Sequence, residues 1–147
     1  MVSQPRRGRR RLDDGIKIDF LIMADSAQES QGKLYLLGGG WTLHNAQGYP
    51  SPLAFGLALG ILVPWSETNR VHEFQFVIRQ SEGQEIARGG GNFEAGRPTG
   101  IPAAMTQRVV VALSGQLPLP TSGTYEVIAT VPGDERRITF EALPPKP

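Results

Sequence analysis

Catalysis near neutral pH needs side chains that exchange protons or attack carbon, and this chain carries few of them. Its only histidines are His44 and His72. They stand 28 positions apart with no carboxylate pattern beside them, so the spacing matches neither a triad nor a zinc site. There is no cysteine, which removes a thiol nucleophile, a thiolate metal centre and a disulfide framework together. HExxH and acidic calcium-loop patterns are also absent. His72 falls in register with the apolar face of a strand and reads as a hydrogen-bonded strand-end residue. His44, in the loop after Trp41, reads as exposed. A hydrolase would need one of these histidines hydrogen-bonded to a carboxylate in a concave site. The chain is therefore expected to be no enzyme, with no catalytic residue, no metal and no cofactor.

Two other patterns invite chemistry and do not sustain it. Asp19 and Asp25 sit on odd positions of one strand, roughly 20 Å apart, too far for a carboxylate pair. Gly38-Gly39-Gly40 and Gly89-Gly90-Gly91 lack the P-loop lysine, the GxGxxG spacing and a following helix. In an all-β chain such triplets make bulges and bends instead.

A binding site is the better candidate. Trp41, His44, Trp65, Asn69 and Arg97 all fall at loop positions. Aromatics with a planar cation and an amide are what a sugar- or peptide-binding sandwich would use. The competing reading has both tryptophans plugging the ends of a sandwich, with Arg97 stacked on one of them.

The elements that would position these residues are strands. Period-2 alternation dominates. Ile16, Ile18, Phe20 and Ile22 are expected on one face of a first strand, and Lys33 to Leu37 makes a second after the polar turn Gln28 to Gly32. The odd residues from Phe55 to Val63 form the large face of a third, whose other face, Ala54, Gly56, Ala58 and Gly60, is small throughout. That small face is expected to be covered by the chain itself, by a loop or by Trp41. Further strands follow at His72–Ile78, Glu85–Glu94, Val109–Leu113, Tyr125–Val131 and Ile138–Ala142. The glycine-broken Glu85–Glu94 strand reads as a blunted sheet edge. Thr121-Ser122-Gly123-Thr124-Tyr125 is a turn feeding a strand that opens with tyrosine, the corner at which Greek-key sandwiches bury the ring and return its hydroxyl to upstream backbone. The expected fold is an all-β, antiparallel Greek-key β-sandwich, Ig-like or similar, of about eight strands.

With 18 glycines and 12 prolines in 147 residues, 39% of them hydrophobic, the composition describes one turn-rich domain. The net charge of +1 hides an asymmetry. Arg6, Arg7, Arg9, Arg10 and Arg11 precede a body with 10 basic and 14 acidic residues from Asp13 onward. Residues 1–14 are expected to form a basic solvated tail, 15–143 the sandwich and 144–147 a proline-rich tail. Nucleic acid or another anion could be touched only through the five arginines. Asp13-Asp14-Gly15 follows them directly, and Asp19 interrupts the apolar run Ile16–Ala24, so neither an export signal nor a membrane span is expected. The expected setting is soluble and cytoplasmic.

Gly32-Lys33-Leu34-Tyr35, Gly38-Gly39-Gly40-Trp41, Pro64-Trp65 with Glu67, Asn69 and His72, Gly96-Arg97-Pro98 and Gly123-Thr124-Tyr125 together carry a resemblance. Over residues 16–142 the chain resembles a family of small, uncharacterised bacterial single-domain proteins. The resemblance implies an all-β domain and brings no activity, cofactor or site. The functional expectation is a protein-interaction or assembly module with a protein partner or self-association, the alternative being a small-ligand or carbohydrate-binding domain.

Overall fold

A computed structural model describes residues 15–146. Among the described residues the alternating segments become nine strands: β1 (Lys17–Ser30), β2 (Lys33–Gly39), β3 (Leu43–His44), β4 (Ser51–Val63), β5 (His72–Gln80), β6 (Glu85–Phe93), β7 (Gln107–Leu119), β8 (Gly123–Val131) and β9 (Asp134–Ala142). Eight correspond to the expected strands, and β3 is the addition. Its two residues pair in parallel with Glu141 and Ala142 of β9. The expected tail at residues 1–14, with its five arginines, lies outside the described residues.

The strands form two sheets, ordered β2-β1-β4-β7 and β3-β9-β8-β5-β6. Apart from β3–β9, every pairing is antiparallel. Large side chains from both sheets share one core, including Leu57, Ile61 and Val63 of β4 and Ile78, Val127 and Phe140 opposite. The expectation of a two-sheet, all-β domain holds.

One face assignment does not. Ile16 and Ile18 are buried as expected, but Leu21 and Met23 follow them into the core in place of Phe20 and Ile22. The pairing of β1 with β4 shifts register between Ile18 and Phe20. An extra residue there reverses which parity faces inward, as a β-bulge must. Phe20 is thereby turned onto the outer face, where its ring lies directly over Gly60, in the volume a Cβ would occupy.

From Gly56 to Gly60 the small face of β4 is thus covered by its own chain, though not by Trp41, while Ala54 stays exposed. β1 pairs with β4 as far as Ala24↔Gly56 and with β2 as far as Ser30↔Lys33. Where β1 leaves β4, its backbone at Ser26 and Ala27 passes across Gly56 so closely that a Cβ would overlap it. The second glycine triplet answers the same need. It runs through β6 without a register shift, and a Cβ at Gly89 would sit 2.6 Å from the Phe76 ring, one at Gly91 3.1 Å from Phe74. These glycines make room for aromatic rings rather than forming a bulge.

At the expected corner, Tyr125 is completely buried and its hydroxyl donates to the Thr121 carbonyl at 2.6 Å. Its ring stacks on Phe140 with centroids 5.3 Å apart. Outside this core, Glu126 bridges Arg79 (2.8 Å) and Arg137 (3.2 Å) across three neighbouring strands. The Arg79 hydrogen bond, reinforced by Arg137, holds the Glu126 carboxyl below the usual carboxylate range.

Candidate functional site

The five candidate residues divide between two ends of the domain. β4 separates them: from Ser51 to Val63 it spans about 40 Å. Trp65, Asn69 and Arg97 gather beyond its end, while Trp41 and His44 lie on the segment leading into its start.

Beyond Val63, Pro64 sets an extended backbone and the chain makes a single 3-10 turn, Trp65–Glu67. Thr68 closes that turn by donating its hydroxyl to the Trp65 carbonyl at 2.7 Å. The same oxygen accepts from Arg97 Nε at 2.8 Å, so a buried hydroxyl is used as both donor and acceptor. Arg97 also donates Nη2 to the Trp65 carbonyl at 3.0 Å, and its Cζ sits 4.0 Å from the indole centroid. One guanidinium therefore holds both the ring and its backbone, a cation–π contact with a fixed geometry. Asn69 adopts a positive φ of 60° and donates its backbone N–H to the Ala95 carbonyl at 2.7 Å. The Gln107 side chain donates to the next carbonyl, Gly96, at 2.6 Å.

An open cleft of about 530 Å³ adjoins this cluster, lined by Lys17, Trp65, Ser66 and Thr106 among others. An aromatic edge, a cation and two hydroxyls would suit an amphipathic, anionic small ligand. Thr68 and Lys17 were not among the candidates. The polar residue three positions after Trp65 was the available signal for Thr68; Lys17 had none, because β1 reaches the cleft only through its pairing with β4.

His72 Nε2 lies 2.9 Å from the Glu67 carbonyl, which can only accept, so that nitrogen carries the proton. Its ring packs on Phe93. The Glu67 carboxylate is 3.7 Å from the same nitrogen, within ion-pair range.

At the other end, His44 Nε2 meets Ser51 Oγ at 3.0 Å. The loop joining them lines a groove of about 630 Å³, and the Tyr49 hydroxyl ties that loop to the Leu143 carbonyl. Burial pushes the Tyr49 phenol up, with Tyr125 adding to the shift. Trp41 packs edge-on against Phe140, centroids 5.5 Å apart, and its buried Nε1 has no partner among the described residues. No cluster of three or more metal-ligating side chains occurs among the described residues. No helix among them is long and apolar enough to cross a membrane.

The sheet edges differ from one another. β3 is two residues long. β6 carries Glu85 and Arg88, ion-paired at 2.7 Å, and then its glycine triplet. β2 is seven residues long and ends where Gly38 turns to a positive φ of 63°. β7 is thirteen residues long and meets glycine and proline only near its end, at Gly115 and Pro118. It pairs with β4 from Gln107 to Leu119 along one side, and among the described residues no other strand pairs with it.

Among curated proteins, none matches this chain. Residues 19–141, nearly the whole two-sheet domain, match a family of unknown function (DUF6941), and the chain belongs to that family.

Proposed function

We propose that the chain is a non-enzymatic protein-interaction module that accepts a partner's strand along β7. The observation carrying this reading is the edge itself. A strand open on one side presents a row of unpaired N–H and C=O groups, and proteins ordinarily blunt such rows with charge, proline, bulges or brevity. The central stretch Val109-Val110-Val111-Ala112-Leu113 uses none of these devices. Main-chain hydrogen bonds would supply affinity, and side chains on alternate positions would select the partner. With no cysteine in the sequence, the module depends on no disulfide and suits a reducing compartment such as the cytoplasm.

Selection from a displayed library of random linear peptides tests this reading. Val110 and Ala112 lie on the face of β7 opposite the core and are half-buried. Peptides that bind the wild-type protein are expected to bind a Val110→Lys/Ala112→Lys protein at least about tenfold more weakly, a difference of roughly 1.4 kcal/mol. Recovery of no binders by protein diluted to the monomer, or equal binding to a folded double variant, overturns the reading.

A further inference from the structure

We propose that the strand accepted by β7 is the β7 of a second copy, paired antiparallel about a two-fold axis through Val111. The inference rests on the strand-accepting reading above and names the partner. Such pairing would join two four-stranded sheets into one of eight strands.

Symmetry makes the edge fit itself. Around a two-fold axis, each residue lies opposite one of the same parity, so inward faces meet inward faces and outward meet outward. About Val111, Val109 lies opposite the second copy's Leu113 and Val110 opposite its Ala112. Val109, Val111 and Leu113 pack on the core of their own copy, so their apolar surface would continue across the junction. Arg108 is the only charged residue in Gln107–Leu119. In this register it faces Ser114, and its guanidinium is already held by Asp19 of its own chain at 2.6 Å. No like charges meet. Pro118, which has no N–H to give, falls outside the paired segment Gln107–Gly115.

The absence of native cysteine makes the register directly readable. A residue on the axis faces its own counterpart across about 4.5–5.5 Å of Cα separation, within disulfide reach. A residue one position off the axis is separated from its counterpart by roughly 8 Å, beyond that reach. The experiment uses the full chain with Val110→Cys, Val111→Cys or Ala112→Cys, measured by light scattering behind size exclusion over a dilution series and then oxidised. A discrete dimer that cross-links through position 111, and much less through 110 or 112, is expected. In the folded Val110→Lys/Ala112→Lys protein, four ammonium groups would meet at the junction, so that dimer is expected to dissociate.

A dimer in which position 111 does not cross-link overturns the proposed pairing. So do oligomers that keep growing with concentration, the mark of head-to-tail pairing such as β2 on β7. A monomer at every concentration overturns self-pairing as well. The peptide selection then stands apart: a monomer that still selects β7-dependent peptides keeps the strand-accepting reading, and one that selects none loses both.

Discussion

Replacing Tyr125 with alanine is expected to cost about 3–5 kcal/mol of folding stability, the range for deleting a large buried aromatic. The ring is fully buried, stacked on Phe140, and positioned where β8 starts beside the end of β9. Deleting it would open a cavity in the core beside Phe140. Tyr125→Phe keeps the ring and removes the hydroxyl, which donates to the Thr121 carbonyl and accepts longer bonds from the Thr121 N–H at 3.4 Å and Gln80 Nε2 at 3.5 Å. Thr121 is exposed, so water can take over its carbonyl, and the expected loss is about 0.5–1.5 kcal/mol. Urea unfolding of the three proteins measures both numbers, provided the m-value is unchanged. Equal losses for the two variants would assign the corner's stability to the hydroxyl rather than to the packed ring.

Valine at Gly56 is expected to be the most damaging change on the small face of β4. Overpacking typically costs about 1–3 kcal/mol, and a rigid obstacle takes it to the upper end or beyond. The obstacle at Gly56 is the β1 backbone at Ser26 and Ala27, held on its far side by pairing with β2. At Gly60 the obstacle is the Phe20 side chain, which can rotate toward solvent, so Gly60→Val is expected to cost less. Ala54 lies on the same face and is exposed, so Ala54→Val should be nearly neutral. The order of midpoints in urea, Gly56→Val lowest and Ala54→Val highest, checks the argument. If Gly60→Val falls below Gly56→Val, the β1 backbone is the more yielding neighbour.

The features legible in the sequence were those encoded within a few residues. Tyr125 binds backbone four positions upstream, and its strand alternates cleanly, so both the corner and its role could be read. The reversal in β1 could not. Phe20-Leu21-Ile22-Met23-Ala24 is apolar at every position, so either parity satisfies the pattern and nothing marks the register shift. β3 escaped notice because two residues have no period and its partner lies about 100 positions away. Stacking of Arg97 on one of the two tryptophans could be expected from residue type, since flat aromatics and guanidinium groups on neighbouring loops attract, but which one, Trp65, depends on the fold. That Trp41 and His44 belong to the other end follows from the length of β4, which starts at Ser51 although large alternating residues mark it only from Phe55. The open edge at β7 was wholly illegible, because edge status depends on which strands pair and those pairings are distant in the chain.

The ladder between β4 and β7 also sets a timetable for synthesis. Each of its thirteen pairs joins residues 44 to 68 positions apart, from Val63↔Gln107 to Ser51↔Leu119. During translation, β1 and β4 would emerge and find each other while the second neighbour of β4 was still unmade. For that interval the nascent chain would expose the full length of its most apolar strand, a state prone to capture by other chains. Only when Leu119 cleared the ribosome could the exposure pass from β4 to β7, the strand that among the described residues keeps an open side.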